Sequence, residues 1–117
     1  MIKNRTGVWG EHYAARYMRE KNFDIICRNY VCRFGELDIV AQKDGLICIV
    51  EVKTRSENAL ISPMEAVDSF KRERLESAAK NFLSFTKMSG AIRFDVCEVL
   101  VDNNNIPVRI NYIENAF

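Results

Sequence analysis

The sequence predicts an α/β fold in the order αβββαββ, a mixed central sheet flanked by helices. Three observations carry this expectation. Asp44-Gly45, the dipeptide favoured in two-residue type I′ turns, sits between two runs rich in Val, Ile and Leu, so residues 36–53 read as a hairpin. Glu11, Ala14, Ala15 and Met18 recur at helical spacing before it. After it, a second helical stretch is long enough to carry the chain back across the sheet, which makes the next strand parallel to the one ending at Lys53.

Taken in order, residues 7–21 read as the first helix, with Asn22 in a position that tolerates a left-handed cap. Its inner stripe contains an acid, Glu11, which either points toward the sheet or complements the positive helix N-terminus. His12, the only histidine, belongs on the surface. Residues 23–31 read as a strand with Ile26, Arg28 and Tyr30 on one side and Ile25 and Cys27 on the other. Residues 32–35 turn the chain into the hairpin. Its second strand is apolar on both faces, Leu46, Cys48, Val50 and Val52 against Ile47 and Ile49, as a central strand should be.

The turn sets a register. Lys43 faces Leu46, Val40 faces Ile49, Asp38 faces Glu51 and Glu36 faces Lys53, which puts four ionisable side chains on one face. Two carboxylates ~5 Å apart at an effective dielectric of ~20 repel by roughly 3 kcal/mol. A hard divalent cation with a neighbouring lysine would offset this repulsion. A solvated sheet end with a cross-strand ion pair is the competing reading, and a bulged three-residue turn would shift the pairing by one.

Beyond the hairpin, residues 54–61 are polar enough for a loop. Ser62-Pro63-Met64-Glu65 has the form of a capping box with Pro at the first helical position. The helix it opens shows an apolar stripe of Met64, Val67, Leu75, Ala78, Phe82 and Phe85, interrupted by Lys71. Lys71 either snorkels with its stem packed or reaches a phosphate near the acids. Residues 92–101 form the next strand, placing Arg93 and Asp95 together as a mainly structural pair. Asp102 to Asn105 is a turn, and the last strand carries Pro107, which argues for a sheet edge.

With 117 residues, 48% of them hydrophobic, the chain fits one domain spanning residues 1–117. The longest apolar run, Leu46 to Val50, is far too short to span a bilayer, and no apolar leader follows the N-terminus; a soluble cytoplasmic protein is expected. Four cysteines without a CxxC pair, and a single His, argue against a zinc site and for reduced thiols on strands. A net charge of +1 excludes a globally basic nucleic-acid binder. Local candidates remain in Arg28, Arg33, Lys53, Arg55, Lys71, Arg72 and Arg74.

Gly10-Glu11 with Ala14, Arg28-Asn29-Tyr30, Gly35-Glu36-Leu37-Asp38, Val50-Glu51-Val52-Lys53-Thr54-Arg55, Ala66-Val67 with Lys71, and Arg93-Phe94-Asp95-Val96 together resemble the YraN family of small bacterial proteins. These are predicted endonucleases related to archaeal Holliday-junction resolvases. The resemblance implies a restriction-endonuclease-like fold, an αβββαβ core here extended by a C-terminal strand, and an active site of the PD-(D/E)xK type. Asp38 matches the motif's Asp, and Glu51-Val52-Lys53 its second half. Leu37 stands where the motif has Pro.

The resemblance further implies a Mg²⁺ or Mn²⁺ ion held by Asp38, Glu51 and the carbonyl of Val52, with Lys53 beside the attacking water and Glu11 as the first-helix acid of resolvase-like members. Arg55 and Lys71, with Arg28 and Arg33, would contact the backbone of a nucleic acid, DNA by analogy, without reading bases. A resolvase acting on a four-way junction would work as a homodimer, because two strands are cut across a two-fold axis. A non-catalytic nucleic-acid-binding module on the same fold is the alternative.

Overall fold

The computed structural model describes residues 5–58 and 69–117. The elements are α1 (Arg5–Glu20), β1 (Asp24–Cys32), β2 (Gly35–Lys43), β3 (Leu46–Ser56), α2 (Ser69–Thr86), β4 (Ile92–Val101) and β5 (Pro107–Ile113), the order the sequence predicts. The five strands lie side by side in chain order. β1, β2 and β3 are antiparallel, β4 is parallel to β3, and β5 closes an edge antiparallel to β4.

Each helix covers one face, so the sheet separates two apolar layers. Ala14, Ala15 and Met18 of α1 pack with Ile39, Ala41, Cys48, Val50, Cys97 and Val99. On the opposite face Leu75, Ala78, Ala79 and Phe82 of α2 pack with Leu37, Val40, Ile47 and Ile49. β3 contributes to both layers, as its two apolar faces require. Asn22 at φ 70° ends the α1 region in the left-handed conformation, and Asp44 and Gly45 at φ 52° and 78° make the I′-type turn. All four cysteines are free thiols. Among the described residues no helix is long and apolar enough to cross a membrane.

α1 approaches β3 unusually closely at Gly10. A Cβ built there would overlap Oγ1 of Thr54, so any larger residue would have to push the Thr54 side chain aside. This contact brings the next residue, Glu11, down onto the sheet, where it is buried at 3% exposure.

Three expectations need correction. The β2–β3 ladder runs from Lys43↔Leu46 to Ile39↔Val50 and stops there, so Asp38↔Glu51 and Glu36↔Lys53 are not ladder pairs. The Asp38 carboxylate takes the place of a backbone acceptor, receiving the amide of Val52 at 2.9 Å. Second, β1 slips register between Ile25 and Cys27, which puts Cys27 with Ile26 and Tyr30 on the α2 side rather than with Ile25. Third, Phe85 is 78% exposed: Phe82 fills the place against Tyr30 of the edge strand, and Phe85 only flanks the same ring, 6.5 Å away, from the solvent side. The expected capping box at Ser62 to Glu65, and Met64 and Val67 of the stripe, lie outside the described residues.

Candidate metal and phosphate site

The site forms where β2 and β3 separate. Strict alternation would put Leu37 and Val40 on opposite faces, yet both pack in the α2-side layer. The irregularity falls around Asp38. Opposite it, between the pairs Arg28↔Ile39 and Tyr30↔Leu37, Asn29 adopts φ 57°. Asp38 is thereby turned into the opening between the strands, where it reaches groups from both sides of the sheet.

Toward α2 it meets Glu51 within hydrogen-bonding reach. Glu51 is buried, and its carboxyl is pushed up to about 7, first by burial and then by the charge and hydrogen bond of Asp38, against the pull of Lys71 and Lys53. Lys71 Nζ stands 3.3 Å from Glu51 Oε1. Lys53 is driven down to about 8 by burial and by its contact with Lys71, which the two acids only partly offset. Burial also works against the charge of Lys71, but its contacts with Lys53 and Glu51 outweigh that and hold it above its ordinary value. The result is a close cluster of two acids and two amines.

Toward α1, carboxylate oxygens of Asp38, Glu11 and Glu36 lie within 4.8 Å of one another. Glu36 thus belongs with Glu11 rather than opposite Lys53, a consequence of the same break in alternation. Asp38 is common to both acid groups. Oxygen donors this close, on strands and a helix, are of the type that suits a hard ion such as Mg²⁺ or Mn²⁺. Of the residues expected at the site, the fold gathers Glu11, Asp38, Glu51, Lys53 and Lys71. Val52 presents its amide to Asp38.

The arginines are distributed around this centre. Arg28 pairs with Ile39, next in the chain to Asp38, and its buried Nε has no hydrogen-bond partner among the described residues. Arg55 lies two residues beyond Lys53, its buried Nε likewise without a hydrogen bond and 4.0 Å from Glu98 Oε2. Asn111 Nδ2 on β5 donates to Glu98 Oε1 at 3.0 Å, which fixes that carboxylate. Arg33 sits apart on the β1–β2 turn, over the ring of Phe34.

Sequence reasoning passed over Glu98 and Asn111. A signal existed for Glu98, the one charged residue in the run Val96 to Val101 and buried at 7% exposure. None existed for Asn111, whose partner is on another strand.

A model described as "Uncharacterised protein family UPF0102" matches residues 10–99, a span that holds every acid and amine of the site. The chain is similar to a UPF0102 protein of Syntrophomonas wolfei, 45% identical over 117 residues covering 99% of this chain and 100% of that one. It is 36% identical to a UPF0102 protein of Caldicellulosiruptor saccharolyticus over 118 residues and the whole of both chains. A UPF0102 protein of Moorella thermoacetica is 37% identical over 118 residues, 100% of this chain and 98% of that one.

Proposed function

Since the chain belongs to the UPF0102 family, whose description names no activity, we propose from its acid site that it is a metal-dependent endonuclease hydrolysing phosphodiester bonds of nucleic acid, DNA in the first instance. The observation that carries this reading is the meeting of Asp38 with Glu51 where β2 and β3 part, with the amines of Lys53 and Lys71 beside them. A purely structural role leaves two adjoining acids and two adjoining amines, half-buried or buried, without an explanation. The element order and the mixed sheet support the finer assignment to the restriction-endonuclease-like fold.

Asp38 and Glu51, with Glu11 and Glu36 adjacent, are the residues that would hold Mg²⁺ or Mn²⁺. The ion when bound supplies Lewis-acid polarisation of the phosphoryl oxygen and acidifies water near it. Lys53, with an amine near 8, is partly neutral at physiological pH and takes a proton from the attacking water as its oxygen bonds to phosphorus and the P–O bond to the leaving strand breaks. Lys71, kept charged, holds Glu51 in place and offsets the charge that develops on the phosphoryl group. Arg28 on β1 and Arg55 on β3 would contact neighbouring phosphates through their guanidinium groups.

The test is cleavage of labelled four-way junction, duplex and single-stranded DNA with Mg²⁺, Mn²⁺ or EDTA. Metal-dependent cutting that drops at least a hundredfold in Asp38→Ala and Lys53→Ala is expected, on the scale of about 10²–10³ for losing one electrostatic or acid–base group. Absence of cutting by a folded, metal-supplied parent chain would sink the enzyme reading and leave a binding module.

A further inference from the structure

Beside the acid site, the β1–β2 turn and the first turns of α2 build an alternating series of cations and rings. Arg33 lies over the Phe34 ring at 4.7 Å. The carbonyl of Phe34 accepts Nε of Arg74 at 3.0 Å, and the Arg74 guanidinium lies 5.8 Å from the centroid of Phe70. Phe70 is 67% exposed although it adjoins Lys71, whose amine touches Glu51. A single exposed phenylalanine is ordinary. Here the neighbouring cation is held beside the ring by a hydrogen bond to backbone.

We infer that Arg33, Phe34, Arg74 and Phe70 form a binding surface for an unpaired nucleotide of a nucleic-acid strand, the ring of Phe70 stacking on the base and the two guanidinium groups meeting the adjoining phosphates. Flat apolar rings interleaved with cations are the chemistry that holds single strands without reading sequence, because every base has a π-face and every link a charge. Charge complementarity points the same way: the two guanidinium groups of the series, Arg33 and Arg74, lie beside exposed ring surface. A base within an intact duplex is stacked on its neighbours and is not available to Phe70. The surface therefore selects a strand that is single, frayed or looped beside the bond to be cut. This deepens the nuclease reading and rests on it only for the strand's path toward Asp38 and Glu51.

The experiment is fluorescence-anisotropy binding in EDTA, using the full chain with Asp38→Asn, so that no cutting intervenes. A labelled single-stranded oligonucleotide and a duplex of equal length are compared. The single strand is expected to bind tighter, and Phe70→Ala to weaken it about tenfold while duplex binding changes less than twofold; stacking worth ~1–3 kcal/mol per base sets that scale. Phe70→Tyr should keep the affinity and Phe70→Leu lose it, which separates a stacking ring from apolar bulk. Equal affinity for both oligonucleotides, or an unchanged single-strand affinity in Phe70→Ala, would overturn the inference even if the parent cuts DNA. Conversion of a dimer to a monomer by Phe70→Ala with oligonucleotide binding intact would also overturn it and make Phe70 a protein contact. If the single-strand preference depends on Phe70 but the parent never cuts, this inference stands and the nuclease reading fails.

Discussion

Two acidic sites on this one sheet are built in opposite ways. On the α1 side Asp95, with no exposed surface, receives Nε and Nη2 of Arg93 at 2.7 and 2.9 Å, the hydroxyl of Tyr112 at 2.6 Å and the amide of Asn115 at 2.9 Å. Its charge is balanced by a bidentate partner, the strong form of such a pair. The hydrogen bonds from Arg93 hold that guanidinium well above its ordinary pKa, and burial together with Asp95 does the same to the Tyr112 phenol. At the other site Glu51 is pressed against a second acid and met by Lys71 at the longer distance of 3.3 Å. A carboxylate that serves only the fold is fully provided with donors. The Glu51 carboxyl keeps an acid neighbour and the repulsion that comes with it.

Removing Asp95 is the severest challenge to this contrast. Asp95→Ala strands Arg93 and the Tyr112 hydroxyl, and should cost about 3–5 kcal/mol in urea unfolding. A loss below ~1 kcal/mol would show that the Asp95 network is no more a keystone than the acid cluster.

A smaller effect of opposite sign is expected at the other site. Glu51 has its folded pKa raised to about 7 from the ordinary 4.5, so between those values the native state binds more protons than the unfolded one, and stability falls as pH rises. Glu51→Gln removes that decline and should gain on the order of 2 kcal/mol at pH 8, with no gain at pH 4. Lys53 runs the other way: with its folded value lowered to about 8 from 10.5, stability recovers as pH climbs between these values. In Lys53→Met that recovery should vanish from the same urea series. Titrating Mg²⁺ into the parent chain should reverse the Glu51 penalty, and Asp95→Ala, which leaves Asp38 and Glu51 in place, should keep that response.

How far each region could be read from sequence tracks the same division. The Asp44-Gly45 turn and the two-faced apolar strand were enough to place every rung from Lys43↔Leu46 to Ile39↔Val50. Helical spacing put Glu11 with Ala14, Ala15 and Met18 on the buried stripe of α1. Period-two counting then failed at Asp38, because a strand asparagine in the left-handed conformation has no signature in an alternation pattern, and Asn29 adopts one opposite it. The acids were therefore correctly paired by type and wrongly paired by rung. Glu98 with Asn111, and Asp95 with Tyr112 and Asn115, depend on strand neighbours beyond the hairpin, which local spacing does not fix.

Because the strands lie in chain order, the route by which the molecule assembles is also constrained. Pairing β1 to β2 to β3 needs only short loops, whereas joining β4 to β3 must wait for a crossover of 35 residues, counted from Glu57 to Ala91 between the two strands. Closing that longer loop is the slower entropic step. The hairpin holding Asp38 and Glu51 is expected to form in the folding nucleus and the Asp95 network after it. Folding kinetics would register this as φ near 1 for Val40→Ala and near 0 for Asp95→Ala, and the reverse ranking would rule the route out. The acid pair is then assembled before α2 brings Lys71 to offset its repulsion, so the hairpin carries that repulsion alone until the helix docks.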